Sequence, residues 1–170
     1  MSSNKINLAS TLKALFSGAE YKYIDIGFEA YENRMNELIS KKVDVGIQGG
    51  THSDIVNRAF WNEFGTKKIP ERSFLRSTLR KTRNELLTLS KEAVKKITFG
   101  SSVDAELGRV GLFLEAECKN TILAGNFVPL HPWTIRRKGS SRPLIETGQM
   151  IASIRFLLRT NPPEEEVWKP

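Results

Sequence analysis

Asn62-Glu63-Phe64-Gly65-Thr66-Lys67-Lys68-Ile69-Pro70-Glu71-Arg72-Ser73-Phe74-Leu75-Arg76 reads as the end of one helix, a pinned loop and the start of another. Gly65 supplies the left-handed stop, a conformation that costs glycine no Cβ clash. Pro70 suits the loop or turn before a helix. Upstream, Ile55, Val56, Ala59, Phe60 and Phe64 give a helix an apolar face, with Phe64 packed inward. Thr51 or Ser53 serves as its cap, and Asp54 lies near its positive end. Downstream, a long helix over about residues 71–97 carries Phe74, Leu75, Leu79, Leu86, Leu89, Ala93 and Ile97. A second, over about 102–123, places Val103, Leu107, Val110, Leu114, Cys118 and Ile122 on one narrow seam suited to packing against the first.

Residues 42–48 alternate, Val43, Val45 and Ile47 against Asp44, Gly46 and Gln48, which predicts a half-buried strand broken by Gly49-Gly50. Tyr21–Phe28 sets Ile24, Ile26 and Phe28 on one parity and predicts another strand, followed by a helix over 29–41 with Tyr31, Met35, Leu38 and Ile39 on a stripe. Leu8, Leu12, Leu15 and Phe16 suit an amphipathic helix over residues 1–20, ended by Gly18. Pro129 and Pro132 predict an irregular loop from Gly125, continuing into a basic loop at Trp133–Lys138 and one helical turn over 144–149. Met150–Arg159 predicts a last strand, with Ala152, Ile154, Phe156 and Leu158 on its apolar face. The fold class expected is α+β: a small mixed or antiparallel sheet packed against two long helices, with a final C-terminal strand. Residues 1–160 form one domain, in which 1–41 has no assigned role, and 161–170 form an extended arm.

A chain of 170 residues, 39% hydrophobic and 26% charged, holds one ordinary core. No apolar run nears the ~20 residues needed to span a bilayer, and no secretory leader is recognised near the start. The single cysteine, Cys118, reads as a small buried helix residue in a reducing cytoplasm. The net charge of +7 draws nucleic acid, acidic membrane or an acidic protein neighbour without choosing among them. Ten Lys/Arg stand against three Glu between Lys67 and Lys96, and a second basic cluster is Arg136, Arg137, Lys138 and Arg142. Many of these would form the solvated face of a helix.

Enzyme chemistry finds little support. His52 and His131 sit in loops without acidic or cysteine partners at ligand spacing, and zinc needs three or four converging ligands. Gly46, Gly49 and Gly50 follow a strand but lack the Lys-Ser/Thr ending of a phosphate loop. No Gly-x-Ser-x-Gly turn occurs. The expectation is a protein without catalysis, cofactor or metal.

Glu63-Phe64-Gly65-Thr66 followed by Ile69-Pro70-Glu71-Arg72-Ser73-Phe74-Leu75 resembles a signature of the phage tail-completion family, the small neck proteins that cap a tail tube and join it to the head. Ser73 stands where many relatives have proline. Trp133-Thr134 with its basic run, then Leu144-Ile145-Glu146-Thr147-Gly148-Gln149-Met150 and Ser153-Ile154, is similar to the family's closing element, with Met150 in place of a leucine. The two segments lie roughly seventy residues apart and are separated by two helices, as the family requires; the resemblance covers roughly residues 43–159.

The resemblance implies a virion structural protein made in the host cytoplasm: a tail-completion or tail-terminator subunit in a ring at the head–tail joint. Six copies are implied, or twelve for a neck protein beneath the portal. The partners implied are copies of itself, the tail-tube protein, a head–tail connector or portal-side protein, and DNA in passage, with no membrane. Contact is expected from Phe64, Gly65, Ile69, Pro70, Arg72 and Phe74, and from Trp133, Arg136, Arg137, Lys138, Leu144, Thr147 and Gly148. Trp168 would anchor the arm on a neighbour's basic helix. Lys67, Lys68, Arg76 and Arg80 are the candidates for facing DNA, with some basic residues paired to acidic neighbours instead. The alternative is a small basic cytoplasmic nucleic-acid-binding protein using the 67–96 helix, which lacks aromatic interleaving and any helix-turn-helix pattern.

Overall fold

The computed structural model of the chain describes residues 22–48 and 53–160. The helix expected over 1–20, the loop holding Thr51 and His52, and the arm with Trp168 lie outside the described residues. In chain order the elements are α1 (Lys22–Ser40), β1 (Lys41–Ile47), α2 (Ser53–Phe64), α3 (Phe74–Thr98), α4 (Val103–Ala124), α5 (Pro132–Lys138), the single turn α6 (Gln149–Ala152) and β2 (Ile154–Thr160). This is an α+β architecture: a hairpin of two long helices, the second of which packs on a small antiparallel sheet whose second strand comes from the end of the described chain.

The two long helices form an antiparallel hairpin. Thr78 Oγ1, early in α3, lies 2.7 Å from Thr121 Oγ1, late in α4. At the other end Lys96 pairs with Glu106 at 3.8 Å. The reversal is short because each terminus is capped: Gly100 adopts φ 106°, its N–H donates to Ile97 O at 3.0 Å, and Ser102 Oγ accepts from Ala105 N at 3.4 Å. Asp104 and Glu106 then sit in the first turn of α4, where the helix dipole favours negative charge. Along α4 the expected seam is met at Val103, Val110, Cys118 and Ile122, all buried, while Leu107 and Leu114 are half-buried. Burial pushes the Cys118 thiol up to about 11, so it behaves as an inert apolar side chain.

The sheet rests on the other side of α4. β1 and β2 pair antiparallel from Lys41↔Thr160 to Ile47↔Ile154. Gly111 permits this approach: a Cβ there would fall 2.4 Å from Phe156 Cδ2 and 2.7 Å from its Cγ. One turn on, the buried carboxylate of Glu115 accepts a hydrogen bond from Phe156 N at 2.9 Å and binds Lys119 Nζ at 2.6 Å and Arg155 Nη1 at 3.4 Å. A helix side chain thus supplies the acceptor that β2 lacks on that side. Ala59, Phe74, Cys118, Ile122 and Ile154 form the buried cluster, gathered from α2, α3, α4 and β2.

Three expectations are corrected. Residues 22–28 form the first part of α1, where a strand was expected. Ile24, Phe28, Tyr31, Met35 and Leu38 are also spaced four, three, four and three apart, so their apolar pattern satisfies a helix over a longer run than it satisfies a strand. The last strand begins at Ile154, because Gly148 adopts φ 77° and starts a helical turn through Met150 and Ile151. Trp133–Lys138 is helix α5, with Pro132 in its first turn, where a missing N–H costs nothing.

Burial by itself would raise the Glu115 carboxyl, but the hydrogen bonds from Lys119, Phe156 N–H and Arg155 outweigh it and hold the group below its usual range. A depressed folded value means its contribution is complete above the unfolded value of about 4.3 and is lost as pH falls through the folded one. Glu115→Gln should therefore lower stability at pH 7 by about 1.5–3 kcal/mol. In urea titrations the difference from the unsubstituted chain should shrink at pH 3. A difference of the same size at both pH values would show that the ionised carboxylate is not the stabilising species.

Candidate functional site

Glu63 is buried at 3% exposure although it lies at the end of an otherwise solvated helix turn. Its carboxylate accepts hydrogen bonds from Leu75 N at 2.9 Å and Arg76 N at 3.0 Å, and from Arg76 Nε at 3.1 Å. The first two are first-turn backbone N–H groups of α3, which lack intrahelical acceptors. Ser73, the residue at the capping position, makes no side-chain cap. The cap for α3 is supplied from α2, and it places a full negative charge at the positive end of the longest helix.

The loop between the two helices is shaped to allow this. Gly65 has φ 73°, and a Cβ there would stand 3.1 Å from Glu71 N and 3.2 Å from Ile69 O. Thr66 Oγ1 accepts from Ile69 N at 3.0 Å and Lys68 N at 3.3 Å. Arg72 is 5% exposed; its backbone N–H reaches Asn62 O at 2.6 Å. Its guanidinium donates to Val128 O at 2.9 Å, Pro129 O at 3.2 Å and Asn62 Oδ1 at 3.3 Å. Burial lowers its pKa, yet an arginine so bound stays charged. Arg72 thereby ties the first stretch to the loop from which the second begins.

That loop leads into α5, where His131 Nδ1 accepts from Trp133 N at 3.2 Å. Trp133 is 54% exposed, and the Arg137 guanidinium lies 4.8 Å over its ring. Lys138 Nζ donates to Arg142 O at 2.6 Å. Burial pulls the Lys138 pKa down, Glu146 acts against this and Arg72 adds to it, leaving the group below its ordinary value. Leu144 adopts φ 64°, a conformation a leucine takes only where its surroundings impose it; here it packs against the buried cluster.

The two stretches meet around an open groove of about 660 Å³. The first contributes Lys68, Ile69, Pro70 and Arg72; the second contributes Arg137, Lys138, Leu144, Thr147 and Gly148. Helix α2 adds Ile55, Arg58 and Trp61, and Arg58 pairs with Glu146 across it at 3.2 Å. Apolar side chains and cations share its lining: five Lys or Arg, the buried Arg72 among them, stand against one carboxylate, Glu146.

Other expected residues fall elsewhere. Phe74 has no exposed surface, so it belongs to the core and not to a contact surface, and Arg72 is likewise an internal clamp at the groove wall. Phe64, expected to pack inward, is 54% exposed because Glu63 takes the inward position one residue earlier. Its ring lies 4.8 Å from that of Phe60 and 4.8 Å beneath the Arg76 guanidinium. With Val56, the two phenylalanines make an exposed i, i+4, i+8 stripe along α2. Arg76 binds Glu63 and Glu71, each at 3.1 Å, which removes it from the cations free to meet phosphate. Lys67, Arg80 and Arg136 are exposed. The expected pairing of other basic residues is seen at Lys81–Glu117, 3.7 Å, and Lys96–Glu106, 3.8 Å.

Sequence reasoning missed Glu63 as a cap, Trp61 as a groove residue and the Arg58–Glu146 pair. Glu63 carried one usable signal, an acid beside the helix stop that precedes a helix whose capping residue is followed by no acid at N3. The other two had none, since Glu146 lies 88 residues from Arg58.

Among the described residues no group of three or more His, Cys, Asp or Glu is placed to hold a metal ion, and no helix is long and apolar enough to cross a membrane. No protein-family model matches the chain, and no curated protein or solved structure matches it either.

Adjacent residues should respond in opposite ways to truncation. Glu63→Ala leaves part-buried helix donors without their acceptor and should cost about 1–3 kcal/mol, whereas Phe64→Ala, on the surface, should stay within about 0.5 kcal/mol. Urea unfolding of both variants checks this, and the reverse ranking would remove Glu63 from the capping role.

Proposed function

We propose that this chain is a structural subunit of a tailed-phage virion, a tail-completion or tail-terminator protein that forms a ring at the head–tail joint. The observation that supports it most is the convergence of the two resembling stretches, far apart in the chain, on one groove through the Arg72 clamp. The chain also exposes large aromatics next to cations, Phe60 at 59%, Phe64 at 54% under Arg76 and Trp133 at 54% under Arg137. Large exposed aromatics beside cations are the composition of interface anchors.

In this reading the subunit acts mechanically. A ring of six, or of twelve for a neck protein beneath the portal, occupies the growing end of the tail tube and stops its polymerisation. It then offers a new surface to the connector on the head side. The clamp keeps Ile69–Pro70 and α5 in fixed relation, so the contact face exists before assembly and binding loses less to ordering. Exposed Lys67, Lys68 and Arg80 give a passing DNA weak, salt-screened contacts with phosphates.

Trp133→Ala tests the reading directly. Anchor aromatics contribute about 2 kcal/mol or more at an interface, and a ring repeats the loss in every subunit. The variant should remain folded by circular dichroism, while joined heads and tails counted by electron microscopy should fall by more than about tenfold, the factor that corresponds to 1.4 kcal/mol. Normal infectious yield from the variant, or purified virions without the protein, would overturn the reading. Tight binding of random DNA by the isolated chain, together with undisturbed assembly, would favour a nucleic-acid-binding role instead.

A further inference from the structure

The groove between Ile69–Pro70 and α5 has a charge imbalance that its own residues leave uncompensated. Of its lysines and arginines, Arg58 meets Glu146 and Arg72 is enclosed among carbonyl and amide oxygens. Lys68, Arg137 and Lys138 have no carboxylate at ion-pair distance among the described residues; Lys138 donates to a backbone carbonyl and feels Glu146 only from farther off, and Arg137 lies over Trp133. The same lining holds apolar side chains, Ile55, Pro70, Leu144 and the half-exposed Trp61. An occupant that suits the groove carries a few adjacent carboxylates next to a large apolar side chain.

The same chain contains one such segment. Residues 164–168 read Glu-Glu-Glu-Val-Trp: three carboxylates for three cations without an ion pair, then two apolar residues for the apolar lining. Geometry bears on whose segment it is. β2 starts at Ile154, soon after the groove residue Met150, and runs seven residues away to Thr160. At about 3.3 Å per residue the strand carries the chain about 20 Å from that end. From Thr160 a fully extended chain gains at most about 3.6 Å per residue. Glu164 then lies within about 14 Å of Thr160, short of the way back along the strand, so the groove of a second copy takes all three glutamates more readily than the chain's own groove.

We propose that the groove receives residues 164–168 of a second copy of this chain, with Glu164–Glu166 on Lys68, Arg137 and Lys138 and Trp168 against Trp61. Each copy then has one donor segment and one acceptor groove, a head-to-tail contact that closes into a ring when the rotation permits. The contact involves different residues from the basic helix expected to receive the arm, and it does not depend on the virion assignment.

The test uses the full-length chain with p-benzoylphenylalanine in place of Trp168. Isotopically heavy and light chains are mixed, irradiated, digested and analysed by mass spectrometry. The expected result is heavy-to-light crosslinks to peptides containing Trp61, Pro70 or Leu144. These should fall by more than about tenfold in K68E/R137E, the factor that corresponds to 1.4 kcal/mol, and return when E164K/E166K is added. Lys68 and Arg137 are exposed, so the charge reversals leave the core intact. Crosslinks within one copy only, crosslinks to the α3 surface or elsewhere outside the groove, or no crosslinks would each overturn the proposal. None of those results alters the Trp133→Ala assembly experiment, so the two readings fail separately.

Discussion

Three hydrogen bonds to one buried carboxylate hold the described chain in register. Glu63, at the end of α2, binds Leu75 N, Arg76 N and Arg76 Nε at the start of α3. Removing a carboxylate from water is unfavourable unless its oxygens are satisfied, and here they meet the Arg76 side chain and two backbone N–H groups that would otherwise have no acceptor. The two deficits cancel each other, and in doing so they set the angle at which α2 meets α3. Because α3 pairs with α4 and α4 carries the sheet, that angle also sets where Ile55 and Trp61 stand relative to the rest of the groove.

Arg72 extends the same logic outward. Its guanidinium binds the carbonyls of Val128 and Pro129, in a loop whose prolines keep it from forming its own ladder. A cation fits because backbone oxygens left without partners converge there. The groove is therefore not an accidental gap between elements. Its walls are two segments distant in sequence, joined by a side chain that belongs to one and completes the other. A preassembled surface of this kind loses less to ordering when something binds it.

The sheet shows how little backbone pairing a small structure needs when side chains assist. Two strands alone are marginal in water. Here Glu115 accepts from Phe156 N, and Gly111 lets the Phe156 ring lie directly on α4. Lys41 adds a tie at the far end, binding Glu37 at 2.6 Å and Asp104 at 2.5 Å, so α1, β1 and α4 share one ionic junction.

Much of the architecture was legible from local pattern. Helices α3 and α4 announced themselves by apolar residues at intervals of three and four, the end of α2 by Gly65, and β1 by strict alternation, because these signals come from backbone geometry and act within a few residues. Ile24–Phe28 misled because apolar residues can satisfy periods of two and 3.6 over so short a span, and only continuation into α1 separates them. Tertiary structure alone decided that Glu63 turns inward and Phe64 outward, that Arg72 and Phe74 are internal, and that Arg58 finds Glu146. Those outcomes depend on which unpaired donors, acceptors and charges two distant segments bring together, and no local periodicity carries that information.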